Sequence, residues 1–365
     1  MSRPTRAIVD AEALRHNLAE VRRRAPRAKV IAIVKANGYG HGLLWVAKTL
    51  ADARADAFGV ASVEEGLVLR EEGIAKPICL LEGFFGPDEL PLLAQYDLAP
   101  VIHHESQVRA LEMARLARAL SVWIKIDTGM HRLGFAPSAF PDVYRRLKAA
   151  AAVGTIRVMS HFASADDPAS GAVTQAQIDT FNAAAAGVDL ERSLANSAGI
   201  VAWPASHLEW VRPGIMLYGG DPQVGGAAST FNLRPVMTLT TALISVAQRR
   251  KGDAIGYGPE YRCPEDMPVG VAAIGYGDGY PRRMPVGTPV LVNGKRVPIV
   301  GRVSMDMLTV DLRSQPHAKI GDPVVLWGAD LPADEIAARA GTISYELFCH
   351  VAKRIPRVAV DGAEA

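Results

Sequence analysis

From Val30 to Lys35 the chain reads VIAIVK, an apolar block closed by a cation, and the glycine-rich stretch ANGYGHG follows at once. Just beyond it, Leu43, Val46, Ala47, Leu50 and Ala51 recur at the spacing that lines one face of a helix. The alternation then repeats. AFGVA precedes a helix expected to open on Ser62 and Glu65 as a capping-box pair. PICLL (77–81), APVIH (99–103), VWIKID (122–127), IRVMSHF (156–162), SLANS (193–197) and LEWVRP (208–213) are further strand-like runs, most of them followed by a helical segment. Short apolar strands alternating with helices predict a parallel sheet wrapped by helices. Eight such units in this length predict a (β/α)8 barrel.

After about Phe231 the pattern changes. MTLTTALISVAQ, VGVAAIGYG, TPVLVNGKRVPIVGRV and DPVVLWG are strand-like, with little between them long enough for a helix, and Asn293-Gly294 is a hairpin signal. The expected class is therefore α/β: an N-terminal (β/α)8 TIM-type barrel over 1–230 and a C-terminal mainly β domain over 231–365.

Composition narrows the possibilities. At 365 residues and 49% hydrophobic, the chain can bury the cores of two domains. Lys+Arg number 40 against 38 Asp+Glu, so a net charge of +2 gives no electrostatic case for nucleic acid or an anionic membrane. The apolar runs are strand-length and the start, MSRPTRAIVDAEAL, lacks the apolar core of a signal peptide, so a cytoplasmic location is expected. Cys79, Cys263 and Cys349 are odd in number and show no CxxC spacing, which signals neither a disulfide framework nor a metal site.

In a barrel of this kind the chemistry sits at the C-terminal ends of the strands. There the sequence places Lys35, Lys125 with Asp127, His161, Asn196-Ser197 and Arg212, all at strand ends. Taken singly, each has an ordinary reading: a solvated rim lysine, a satisfied core histidine, a helix cap, a structural ion pair. Their joint placement is what points to one site. The loops after the last two strands begin Ser197-Ala198-Gly199 and Pro213-Gly214-Ile215, a small hydroxyl and open backbone amides of the kind a phosphate needs, and Tyr39 adds a phenol. A lysine facing a phosphate pocket suggests a phosphorylated aldehyde held as a Schiff base, pyridoxal phosphate, with Arg212 toward its ring nitrogen. A sugar-phosphate aldolase working through a lysine would give similar spacing.

The ordered set VIAIVKANGYGHG, VWIKIDTGMHRLG, SHFASAD, LANSAG, VRPGIMLYG, AIGYGPEY, IGYGDGYPR, GRVSMDM and TISYELFC resembles the bacterial alanine racemase family of fold-type III pyridoxal-phosphate enzymes, from Lys35 to Arg357. The resemblance implies that Lys35 holds pyridoxal 5′-phosphate and is one catalytic base, and that Tyr257 is the other, supplied by the second subunit of a homodimer with shared active sites. It implies cofactor contacts from Tyr39, His161, Asn196, Ser197, Arg212, Gly214, Ile215 and Tyr345. Substrate contacts would come from Arg132, Met305, Asp306 and Tyr276, and Lys125 matches a lysine that is carbamylated in many members. The implied substrate is alanine, and D-alanine is a peptidoglycan precursor.

Overall fold

The computed structural model describes residues 3–258 and 260–362. Its first strand, β1 (Arg6–Asp10), is followed by a helix, Ala11–Arg24, capped by the Asp10 carboxylate on the amides of Glu12 and Ala13. Eight parallel strands then close into a barrel: β2 (Lys29–Ile33), β3 (Ala57–Val60), β4 (Ile78–Leu80), β5 (Leu98–Ile102), β6 (Leu120–Lys125), β7 (Val153–Met159), β8 (Arg192–Ser193) and β9 (Trp210–Val211). Closure is made by β9 on β2, with Trp210 opposite Lys29 and Val211 opposite Val30. Each of the eight runs read from the sequence supplies one barrel strand. The strands stop early: β2 ends at Ile33, so Lys35 lies in the turn beyond it. That is why the polar residues could cluster without being buried mid-strand.

The second layer is antiparallel for the most part. It comprises β10 (Met237–Arg249), β11 (Met267–Ala272), β12 (Pro289–Val292), β13 (Lys295–Pro298), β14 (Leu308–Asp311), β15 (Pro323–Trp327) and β16 (Arg357–Val360). The main path runs β13-β12-β15-β10-β1-β16, with β11 pairing β10 and β14. Asn293 and Gly294 take φ of 50° and 74° between β12 and β13, as a two-residue hairpin of this hand requires.

Two expectations are corrected. The span 1–230 is not all barrel, because β1 pairs antiparallel with β10 and parallel with β16 and so belongs to the second sheet. Its alternation buries Ala7 and Val9, but no local pattern tells a strand which sheet it will join. Ser62 does occupy the N-cap of helix Val63–Glu71, yet its side chain makes no capping bond. The Glu65 carboxylate is taken by the amides of Ala36 (2.7 Å) and Ala61 (2.9 Å) instead.

Candidate active site

A cavity of about 410 Å3 opens at the C-terminal ends of the barrel strands. The loop after β2 brings Lys35 and Tyr39 to it, on an unusual backbone. Ala36, Asn37, Gly38, Tyr39 and Gly40 have φ of 53°, 57°, 60°, 49° and 76°, one left-handed turn directly behind the lysine. Left-handed backbone costs about 1–2 kcal/mol for each residue with a Cβ, so this turn persists only because its surroundings hold it. Asn37 Oδ1 accepts from the Leu43 amide, the His41 ring donates from Nδ1 to the Tyr39 carbonyl, and Arg357 Nε donates to the Gly40 carbonyl. Tyr218 stacks on Tyr39 with ring centroids 4.7 Å apart and donates its hydroxyl to the Ile33 carbonyl. At Gly40 a Cβ would sit 1.9 Å from the Phe348 carbonyl, so no other residue fits there.

Arg212, just past β9, is buried and has no carboxylate partner among the described residues. It donates to Ser193 Oγ and the Ser160 carbonyl, both at 2.5 Å, to the Leu194 carbonyl at 3.2 Å, and to His161 Nδ1 at 3.3 Å. Because a guanidinium cannot accept, Nδ1 of His161 is the acceptor and the imidazole is neutral. Burial, followed by the charges of Arg212, Lys125, Arg132 and Lys35, pushes His161 well below its usual range, consistent with that state. Burial lowers Arg212 itself to about 10, still protonated at neutral pH.

Lys125 closes β6 as a buried side chain with no ion pair or hydrogen bond among the described residues. Burial and the charges of Arg212, Arg132 and Lys35 bring it down to about 8. The neighbouring Asp127 is engaged elsewhere, accepting from the amides of Gly129 and His131. Lys35, Lys125, Arg132 and Arg212 thus share a cavity in which, among the described residues, Glu82 is the one carboxylate of the lining.

On the opposite wall, Asn196 caps helix Ser197–Ala202 by accepting from the Gly199 amide. Ser197 Oγ accepts from the amides of Gly214 (2.9 Å) and Met216 (3.4 Å), which leaves its own proton for a ligand. A Cβ on Gly214 would lie 2.6 Å from the Tyr39 hydroxyl, and that buried phenol has no partner among the described residues. Ile215 and Tyr345 complete the wall, Tyr345 with its ring 5.8 Å from that of Tyr39. The cavity therefore presents unpaired donors and cations, a donor set that fits a phosphorylated ligand with an acceptor nitrogen in its ring.

Besides Asp127, four of the residues singled out from the sequence do not line this cavity. Tyr257, Tyr276 and Met305 are exposed, and Asp306 pairs with Arg354. They lie on adjoining loops of the β domain: the Tyr276 amide donates to the Ser304 carbonyl, the Gly277 amide to that of Met305, and Gly256 packs against Arg302. Sequence reasoning missed Ser160, Ser193 and the Leu194 carbonyl as the cradle of Arg212, and Glu65 beneath the left-handed turn. Small hydroxyls and main-chain atoms carry no periodic signal. Among the described residues no helix is long and apolar enough to cross a membrane, and no group of three or more His, Cys, Asp or Glu could hold a metal ion.

Comparison with known proteins covers nearly the whole chain. The family model described as alanine racemase, N-terminal domain, matches residues 9–222, and that of the C-terminal domain matches 236–359. The alanine racemase of Shewanella denitrificans is 52% identical over 358 residues, covering 97% of this chain and 98% of the relative. That of Photobacterium profundum is 53% identical over 352 residues, covering 96% and 97%. Among solved structures, the biosynthetic alanine racemase of Pseudomonas aeruginosa superposes with a TM-score of 0.94 at 44% identity, covering 98% of this chain and 99% of the other. The alanine racemase of Bacillus anthracis with bound L-Ala-P gives 0.86 at 31% identity, covering 99% and 96%.

Proposed function

The chain belongs to the alanine racemase family, and from that membership we propose that it interconverts L- and D-alanine with pyridoxal 5′-phosphate, using Lys35 and Tyr257 of the partner subunit as two bases. The observation that carries the reading is the cavity in which Lys35 meets uncompensated cations and unpaired donors. Lys35 would hold the aldehyde carbon, and Tyr39, Ser197, Gly214, Ile215 and Tyr345 the phosphate, with Asn196 capping the helix beside it. Arg212 would face the ring nitrogen. When bound, the cofactor supplies the electron withdrawal that makes the Cα proton of an attached amino acid removable.

The residues then divide the work. Lys35 would take or return the Cα proton on one face, and Tyr257 of the partner subunit would do so on the other. Arg132 binds the substrate carboxylate by charge and hydrogen bond. Met305, Asp306 and Tyr276 of the partner subunit complete the pocket. Arg212 would donate toward the ring nitrogen while keeping its own proton, since even after burial it titrates at about 10. Its neutral cradle of Ser160, Ser193 and Leu194 fixes the guanidinium without neutralising it. A carbamate on Lys125 would turn a cation in that crowd into an anion able to orient Arg132, and titration near 8 makes the reactive neutral amine available at mildly alkaline pH. A homodimer is supported by the placement of Tyr257, Tyr276, Met305 and Asp306 together on the β domain and off their own chain's cavity.

The test is to incubate the protein and pyridoxal phosphate with L-alanine in D2O. Appearance of D-alanine carrying deuterium at Cα is the expected result. Absence of both, with the cofactor bound through Lys35, would overturn alanine as the substrate.

A further inference from the structure

The left-handed turn behind Lys35 is held from several sides, but one contact falls on the peptide bond of the lysine itself. The half-buried carboxylate of Glu65 accepts from the Ala36 amide through Oε1 at 2.7 Å and from the Ala61 amide through Oε2 at 2.9 Å. It therefore ties the segment after β2 to the segment after β3. The Ala36 N–H lies in the peptide plane whose other end is the Lys35 carbonyl carbon. Fixing that plane fixes the direction in which Lys35 leaves the backbone. Ala36, with φ of 53°, is also where the chain enters the left-handed turn, at a residue whose Cβ opposes that conformation.

We propose that Glu65 is a positioning residue for Lys35: by bridging the amides of Ala36 and Ala61 it aims the lysine amine into the cavity. The inference rests on the reading of Lys35 as the cofactor's anchor and extends it to a residue that touches neither cofactor nor substrate. Two donors need two acceptors, which a carboxylate offers and a carboxamide does not, since its nitrogen would meet an N–H with another N–H. The bond to a charged acceptor is also stronger than its neutral counterpart.

Glu65→Gln keeps the shape of the side chain and removes one acceptor. Glu65→Asp keeps the charge but is one methylene too short to span both amides, and it is read in the same way should the first variant fail to fold. Glu64→Gln, at an exposed neighbour, controls for charge on the same helix. Three quantities are measured: deuterium exchange of segment 34–42 in the cofactor-free protein, the rate at which added pyridoxal phosphate is trapped on Lys35 by borohydride and located by peptide mapping, and kcat with KM for alanine.

Wild type and Glu64→Gln should label at Lys35. The two Glu65 variants should label about 10–100-fold more slowly, the loss that a misplaced reacting group produces. Segment 34–42 should exchange faster while the rest of the barrel is unchanged, and kcat should fall with KM held. Labelling and exchange at wild-type rates in the Glu65 variants overturn the proposal. So does a slowdown accompanied by faster exchange throughout the barrel, which marks a merely structural role. If wild type itself does not label at Lys35, the reading of the lysine fails, and that outcome is distinct from the failure of Glu65 alone.

Discussion

Lys125 shows what a single residue costs at this site. Its amine is buried among Arg212, Arg132 and Lys35 and titrates at about 8 in place of 10.5, so between those values the unfolded chain binds more protons than the native one. The penalty is therefore present in full below pH 8 and is relieved as pH rises toward 10.5, and a shift of that size corresponds to about 3 kcal/mol at neutral pH. In cofactor-free protein and CO2-free buffer, Lys125→Met should melt higher than wild type at pH 7, and the two melting curves should converge by about pH 10. Equal melting at pH 7 would mean that the amine is better solvated than its burial indicates. The opposite wall makes the complementary point, because Gly214 is there for what it lacks. A methyl at Gly214 would press on the Tyr39 hydroxyl at 2.6 Å, so Gly214→Ala should fold but bind pyridoxal phosphate at least ~10-fold more weakly by spectroscopic titration. Unchanged affinity would remove Tyr39 and Gly214 from the phosphate site.

At the scale of elements, the site is made by what happens after the strands end. The barrel strands are legible because their apolar runs have no other reading at that spacing, and the eight runs from VIAIVK to LEWVRP became β2 to β9. The short turn after β2 was not legible in the same way. ANGYGHG announces a tight, glycine-rich turn, but the left-handed path through Ala36 and Tyr39 depends on Glu65, Arg357 and Tyr218, which lie 29, 317 and 179 positions beyond their partners Ala36, Gly40 and Tyr39. The capping-box reading of Ser62 and Glu65 failed for the same reason. The capping-box motif offered the carboxylate the Ser62 amide, and the folded chain gave it instead the neighbouring Ala61 amide and, from the loop after β2, the Ala36 amide.

For the whole molecule, the question is how a cavity on one domain meets residues on the other. Tyr257 is exposed on the β domain while Lys35 is in the barrel mouth, so the two-base reading requires two chains. Subunit mixing tests it. Lys35→Ala and Tyr257→Phe should each be nearly inactive, and after random reassortment half of the dimers are hybrids with one intact site of two, restoring about a quarter of wild-type activity. No recovery on mixing would place both bases in one chain. The strand β1 matters at this scale too, since it joins the start of the chain to β10 and β16 and so couples the β domain to the helix that leads into the barrel.

By itself the sequence determined the class of fold, the strand ends that line the cavity, and the family. Apolar periodicity and an ordered set of short motifs are properties of neighbours along the chain, and they survive without coordinates. Only the tertiary structure decided that β1 belongs to the second sheet, that Arg212 rests on neutral oxygens, that Lys125 has no ion-pair partner among the described residues, and that Glu65 serves the peptide bond of Lys35. Each of these depends on which distant group arrives within hydrogen-bond or Coulomb range once the barrel has closed. That choice is made by packing in three dimensions, and no local pattern encodes it.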